Sequence, residues 1–169
     1  ILRDAGRIAA EALAWAGRHA VPGRTTGEID AGVEEFIRSR GATPEFKGYH
    51  GFPASICASV NDEIVHGIPG RRVLREGDII SIDCGAIIDG WHGDAAVTFG
   101  VGSLIGVDEA LSEATKSSME AGIAAMVAVH MATYGKGFGI VTPAFAGISV
   151  SIAACAVMVV ARRRSRPAL

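Results

Sequence analysis

Residues 81–99 constrain the fold most, because they predict a β-hairpin that carries two carboxylates on one face. An apolar, β-branched run leads to an Asp-Gly pair at 89–90, which is favoured in two-residue type I′ turns. This turn places Gly85 opposite Asp94. Because strand side chains alternate, Asp83 and Asp94 are then diagonal neighbours on one face, roughly 7–8 Å apart at Cα.

Two carboxylates on the inner face of a hairpin are costly unless their charge is neutralised. A divalent cation neutralises them, and two cations about 3.5–4 Å apart can be bridged by such carboxylates. The alternative is that Asp83 ends a strand and Asp94 caps a turn. The residues of the hairpin alone leave both interpretations open.

Three motifs resemble, in the same order, signatures of the methionine aminopeptidase family, in its bacterial single-domain type. They are Gly-Tyr-His-Gly-Phe-Pro at 48–53, Val-Asn-Asp-Glu-Ile-Val-His-Gly-Ile-Pro at 60–69, and the hairpin string Asp-Gly-Trp-His-Gly-Asp at 89–94 with Asp83 before it and Thr-Phe after it. The resemblance extends over about residues 1–102. Relatives of the same fold that cleave at proline usually lack the hairpin string, which favours the methionine-specific family.

The resemblance implies an α+β, pita-bread (creatinase/aminopeptidase-like) fold, of which this chain holds the first half. The family binds two divalent metal ions (cobalt, manganese, iron or zinc) through two Asp, one His and two Glu, and Asp83 and Asp94 match the two Asp. The ions activate a water that attacks the carbonyl after the N-terminal methionine of nascent polypeptides. His66 matches a catalytic His that binds the substrate peptide.

Tyr49, Phe52 and Cys57 match positions that line the methionine side-chain pocket in this family. Aromatic walls and a sulfur atom suit an unbranched thioether, although such residues also form ordinary cores. Phe46 lies where many relatives have a smaller residue, so an inward-pointing ring would narrow the pocket. His92 falls on the carboxylate face, and we expect it to form a hydrogen bond near Asp94 rather than to bind metal.

The sequence departs from the family after its first half. The third ligand of the family lies in a Gly-His-Gly-Ile-Gly string, and the nearest match, at 146–149, has no His. No Asp or Glu follows Glu120 to match the two Glu ligands. We therefore expect impaired metal binding and an inactive fragment. The alternatives are a non-catalytic peptide-binding module and a membrane-tethered remnant.

The chain divides, by resemblance, into a partial catalytic domain at 1–141 and an apolar tail at 142–169. The run from Phe138 to Ala161 carries no charge and is followed by an arginine cluster. A membrane anchor, a replacement core element and a reading-frame disruption are three explanations of this tail. The tail is the one feature that makes a membrane a candidate partner.

Composition adds further expectations. The formal net charge of −2 gives no argument for nucleic-acid binding. Three Cys without paired spacing favour a reduced, cytoplasmic protein. The family resemblance, through its nascent-chain substrate, makes the ribosome a candidate partner. The chain begins with Ile inside a helical pattern, so we expect a short missing N-terminal piece and no secretory signal.

The coarse secondary structure is three helices around the hairpin. The apolar spacing predicts helices over 1–20, over the segment from the Thr25–Glu28 capping box to Gly41, and from Asp108 to about His130. Residues 54–69 predict two strands joined by a turn. If the second hairpin strand contains a bulge, Gly93 is its expected position.

Overall fold

The structure is a computed structural model that describes residues 1–134, with side chains described through Val127. It divides into one compact unit, Ile1–Ile105, and a second that begins at Gly106. The expected boundary at residue 141 and the tail at 142–169 lie outside the described residues, as does the match at 146–149.

Two helices begin the first unit, as the sequence predicts. Helix α1 is Leu2–His19 and helix α2 is Thr26–Ser39. Thr25 closes the capping box at the start of α2: its hydroxyl accepts from the Glu28 amide at 3.2 Å, and its own amide donates to the Glu28 carboxylate at 2.8 Å. Both helices bury one apolar stripe, which is the pattern of a helix packed on a sheet.

Four antiparallel strands form one sheet. They are β1 (Thr43–Pro44), β2 (Ile56–Val60), β3 (Ile79–Ile88) and β4 (Trp91–Gly100). Strand β4 pairs with β3 along its whole length, so β1 and β2 share the other edge of β3. A short 3₁₀ turn, Tyr49–Gly51, lies between β1 and β2.

The two faces of the sheet differ in character. Ile80, Ile82 and Cys84 of β3 are fully buried, and the Cys84 thiol contacts the Ala9 carbonyl of α1 at 3.6 Å. The opposite face, here called the carboxylate face, carries Ser81, Asp83 and Gly85 of β3 with Asp94, Ala96 and Thr98 of β4. Packing of one face on the helices therefore aims the acidic residues away from the core.

The second strand expected within 54–69 does not form, and that prediction was wrong. After β2, Asn61 and His66 both adopt positive φ (61° and 57°), which interrupts an extended strand. The segment returns to β2 through Gly67 instead: the Gly67 carbonyl accepts from the Ala58 amide at 2.8 Å, and the Gly67 amide donates to Oγ of Ser59 at 3.1 Å. A Cβ on Gly67 would overlap the Ala58 carbonyl oxygen, so this approach requires glycine.

Gly93 does not form a bulge either. It pairs with Ala86 in an unbroken register, and a Cβ there would overlap the backbone of Ala5 in α1. The missing side chain thus permits close packing of α1 on β4 rather than an extra residue in the strand.

The second unit, taken by itself, is represented by helix α3, Val107–Tyr134. The prediction of a helix from Asp108 to about His130 is confirmed. In the part of the chain that the structure describes, no helix is both long and apolar enough to cross a membrane.

Candidate metal centre

The hairpin has the register that its turn predicts. Gly85 pairs with Asp94 and Asp83 pairs with Ala96. The turn residues have φ of 50° and 76°, as a type I′ turn requires. The turn and the alternation of side chains together bring Asp83 and Asp94 to the same face.

Asp83 and Asp94 touch through a side-chain hydrogen bond. Such a bond between two carboxyl groups needs a proton on one of them. Burial is the largest cause that raises the pKa of Asp83, to about 7, followed by the charge and the hydrogen bond of Asp94 and the charge of Glu45. The pair is thus a site where positive charge, from a proton or a cation, is strongly favoured.

Glu45 is the acidic neighbour that the sequence did not reveal. Its amide donates to the Gly85 carbonyl at 3.0 Å, which extends the pairing of β1 with β3 by one residue. Its side chain is 24% exposed. Sequence patterns could not place Glu45 beside the acidic pair, because its position depends on how the two-residue strand β1 pairs with β3.

His92 lies on the carboxylate face as expected, but its hydrogen-bond partner is Glu45. Its Nδ1 donates to Oε1 of Glu45 at 2.9 Å. The expectation that His92 bonds near Asp94 placed it correctly on the face and missed this partner, because Glu45 arrives from another strand.

Cys57 joins the acidic pair from strand β2. It pairs with Asp83 in register and is 6% exposed. Burial raises the pKa of its thiol to about 12, with smaller contributions from the charges of Asp83 and Asp94. The thiol is therefore protonated at neutral pH, which makes it an apolar contact rather than a nucleophile.

The remaining expected site residues lie in the loops on either side of β2. Tyr49 is 68% exposed and its ring meets that of His50 edge-on. Phe52 is half-buried and meets Phe46 edge-on, with ring centroids 6.5 Å apart. His66 is exposed in the segment after β2. No described contact joins these side chains to the carboxylates.

The acidic side chains of the carboxylate face supply only some of the ligands that a hard divalent cation needs. Among the side chains described through Val127, no three His, Cys, Asp or Glu are arranged to hold one metal ion. The Asp83–Asp94 pair nevertheless offers two touching carboxylates, and Oε2 of Glu45 is buried without a hydrogen-bond partner. Oxygen donors of this kind are those that hard divalent ions prefer.

Comparison with known proteins decides the family. The model of metallopeptidase family M24 matches residues 1–136, which is most of the chain. The chain belongs to metallopeptidase family M24. This assignment confirms the family resemblance and the α+β, pita-bread fold that it implied.

Individual members of the family match the chain at high identity. The chain is 53% identical to "Methionine aminopeptidase 1" of Mycobacterium tuberculosis and covers 58% of it, using 81% of its own length. It is 52% identical to "Methionine aminopeptidase 1" of Bacillus subtilis, with 73% of the chain and 50% of the relative covered. The chain therefore spans about half the length of these relatives.

Solved structures agree on the fold. The methionine aminopeptidase of Rickettsia prowazekii matches 72% of the chain with a TM-score of 0.70 and 39% identity, and 49% of that structure is covered. Aminopeptidase P of Escherichia coli matches 73% of the chain with a TM-score of 0.64 at 21% identity, with 27% of that structure covered, which is a likeness of fold alone.

Proposed function

We propose that this chain supplies the first half of a metal-dependent aminopeptidase site that removes the N-terminal methionine from nascent proteins. The contact between Asp83 and Asp94 carries the proposal, because it occurs in a chain 53% identical to a relative named methionine aminopeptidase 1. We place the reaction in the cytoplasm, on nascent chains at the ribosome.

Asp83 and Asp94 are the proposed ligands of the two divalent ions. The ions, when bound, would lower the pKa of a water and polarise the scissile carbonyl. The carboxylates position that chemistry on the carboxylate face of the hairpin. Because burial, followed by the neighbouring carboxylates, raises the pKa of Asp83 to about 7, a cation displaces a proton from Asp83 at lower pH, and we expect metal binding to weaken as pH falls.

His66 is the proposed hydrogen-bond donor to the substrate peptide. It is exposed, so a substrate could reach it. Its backbone lies in the left-handed region at φ 57°, and the adjacent Gly67 amide donates to Oγ of Ser59 at 3.1 Å. A residue other than glycine keeps that conformation only when its surroundings hold it. The left-handed backbone therefore supports a fixed position for His66.

Tyr49, Phe52 and Cys57 are the proposed pocket for the methionine side chain. Cys57 supports this most directly, because its protonated, buried thiol lies beside the carboxylate pair. A neutral sulfur atom is a good contact for the thioether of a methionine side chain. Phe52, held edge-on to Phe46, would form an aromatic wall.

We expect this chain alone to show no detectable hydrolysis. Two carboxylates from one hairpin hold a cation loosely, because even a four-coordinate catalytic zinc site has three protein ligands. Such weak binding would leave the ions mobile and the attacking water, which they would activate, poorly oriented. A non-catalytic peptide-binding module is the second candidate, favoured by the lack of a three-ligand metal group among the described side chains.

A chimera tests the proposed function. Residues 1–105 of this chain would replace the matching part of the Mycobacterium tuberculosis relative, which supplies the rest of the site. With Mn²⁺ or Co²⁺ added, the chimera should release methionine from a Met-Ala-Ser peptide, and Asp94→Asn should abolish release. A folded chimera that ignores this peptide and cleaves Xaa-Pro peptides would refute the assignment.

The unmodified 169-residue chain separates the two candidates. Saturable binding of Met-Ala-Ser without turnover would favour the peptide-binding module. Turnover that disappears in the Asp94→Asn variant would show that the chain is catalytic as it stands, against our expectation. A lipid-flotation assay of the same preparation tests the membrane-tethered alternative.

A further inference from the structure

Strand β4 leaves one edge of the sheet open. Its ten residues pair with β3 on one side, and no strand of the described part of the chain pairs with them on the other side. An open edge presents unpaired main-chain N–H and C=O groups, which another strand can bind. Edge strands that stay unpaired therefore have features that prevent pairing, such as proline, lysine, a bulge or a short length.

The opposite edge of the sheet has such features, and β4 lacks them. Strand β1 is two residues long and includes Pro44, and β2 is five residues long, with its Ala58 amide already bonded to the Gly67 carbonyl. Strand β4 contains no proline, lysine or arginine, and its register with β3 is unbroken along its whole length. Its one acidic side chain is Asp94. The open edge of β4 is therefore suited to pairing with another strand.

The hairpin turn determines which backbone groups of β4 face the open edge. A two-residue turn joins its flanking residues, here Ile88 and Trp91, in a hydrogen-bonded pair. Hydrogen-bonded and non-hydrogen-bonded pairs alternate along an antiparallel ladder. The odd-numbered residues of β4 therefore bond to β3. The N–H and C=O groups of the even-numbered residues point outward, and their side chains lie on the carboxylate face.

A second β4 strand can continue this ladder about a two-fold axis at Ala96. Ala96 of the two copies then lie opposite each other, and Asp94 of each copy lies opposite Thr98 of the other. Opposite residues in an antiparallel pair share a face, so the two carboxylate faces lie on one side of a continuous sheet and the helices on the other. The outward groups from His92 to Gly100 would form about ten main-chain hydrogen bonds, a number typical of protein–protein interfaces.

The charge of Asp94 favours this axis over its neighbours. An axis at Ala95 would make the two Asp94 residues diagonal neighbours, about 7–8 Å apart at Cα. With the axis at Ala96 they are four residues apart along the strands, about 13 Å, which exceeds the Debye length of about 8 Å at physiological ionic strength. An axis at Val97 would separate them further, but it would leave His92 beyond the paired region.

The other side of β4 supplies apolar surface to the same pairing. Val97 points to the side of the helices, because it pairs with Ile82, yet it is 42% exposed. In the register centred on Ala96, Val97 lies opposite Ala95 of the second copy, and the two Val97 side chains are diagonal neighbours across the axis. Pairing therefore removes apolar surface from water in addition to bonding the open backbone groups.

We propose that β4 pairs with β4 of a second copy of this chain, about a two-fold axis at Ala96, to form a symmetric dimer. The pairing occupies the open edge of both copies, so assembly closes at two chains. The inference does not depend on the metal or peptide proposed for the carboxylate face.

The test uses the full 169-residue chain. Sedimentation velocity over a range of protein concentrations measures the assembly, and we expect a monomer–dimer equilibrium. Hydrogen exchange followed by NMR identifies the edge. The outward amides of Asp94, Ala96 and Thr98 should exchange slowly in the dimer and rapidly in the monomer. The amides of Ala95 and Val97, which bond to β3, should exchange slowly in both.

Charges placed at the axis test the register. Ala96→Lys should raise the dissociation constant of the dimer at least about tenfold, because like charges that meet in an interface repel. Ala31→Lys is the matched control: it adds the same charge at an exposed position of α2 and should leave the dimer intact. Ala96→Glu should also be monomeric. A mixture of Ala96→Lys and Ala96→Glu should form a heterodimer, because opposite charges then meet at the axis.

Ala96→Pro covers the case in which a charged variant fails to fold. It removes one outward N–H, adds no charge and leaves the ladder with β3 intact, so the variant should fold and remain monomeric. A wild type that stays monomeric at all concentrations would overturn the proposal. So would a dimer that Ala96→Lys and Ala96→Pro leave unchanged, because another surface would then hold it.

The remaining outcomes identify a different occupant or register. Slow exchange of the outward amides in a monomer would mean that another part of the same chain covers the edge. Protection that appears only after addition of a Met-Ala-Ser peptide would make the peptide the added strand. Failure of the mixed variants to dimerise would contradict the axis at Ala96. Each of these results would overturn the proposed dimer.

Discussion

Substitution of Gly93 by alanine tests the packing that holds the hairpin on the helices. A Cβ at this position would lie 2.6 Å from the Ala5 carbonyl oxygen and closer still to the Ala5 carbonyl carbon and the Gly6 amide nitrogen. All three are backbone atoms of α1, so no side-chain rotation relieves the overlap. Helix α1 must move away from β4, or the strand must bend.

The expected cost follows from that geometry. Real Cβ atoms essentially never approach other heavy atoms within 3.0 Å, so the two elements must separate by several tenths of an ångström or more. Overpacking of a close-packed core costs about 1–3 kcal/mol. We expect Gly93→Ala to fall near 3 kcal/mol, because α1 packs on both β4 and β3 and its displacement disturbs both contacts.

The assay is urea unfolding of the full chain, followed by the fluorescence of Trp15 and Trp91. Gly6→Ala is the matched control: Gly6 lies on the same helix, and its Cβ would meet nothing within 4 Å. It should stabilise the protein by up to about 1 kcal/mol, the difference in helix propensity. The two substitutions add the same atom and should change stability in opposite directions.

The reasoning would be refuted if Gly93→Ala were as stable as the wild type. It would also fail if Gly6→Ala were equally destabilising, because the effect would then not depend on the close approach of α1 and β4.

Three further predictions concern caps, protons and thiols. Thr25→Ala should cost about 1 kcal/mol in urea unfolding, because it removes half of the capping box of α2, and Thr25→Ser should restore most of it. In chelator-treated protein, stability should fall as pH rises from about 4 to 7, since folded Asp83 keeps a proton that the unfolded chain releases, and Asp83→Asn should flatten this slope. At pH 8, iodoacetamide should label Cys57 and Cys84 of the native protein slowly, as measured by peptide mapping, because burial raises the pKa of both thiols to about 12. Rapid labelling of either thiol would contradict its buried position.

Local sequence signals determined the hairpin strands, the start of helix α2 and the placement of Asp83 and Asp94 on one face. The Asp-Gly turn at 89–90 sets the register of β3 and β4, and the alternation of side chains then places Asp83 and Asp94 on one face. The capping box likewise marks the start of α2. These features depend on residues close together in the chain, so periodicity and turn chemistry were sufficient to predict them.

Tertiary structure alone decided the surroundings of that pair. Nothing local indicates that Glu45 reaches Gly85, because the contact requires a two-residue strand to pair with a segment some forty residues away. Nothing local indicates the roles of two glycines either. Gly67 lies against Ala58 instead of continuing a strand, and Gly93 allows α1 to pack closely on β4 instead of forming a bulge. Pairing of distant segments is selected by how whole elements pack, and a linear pattern does not encode the space that a missing side chain leaves.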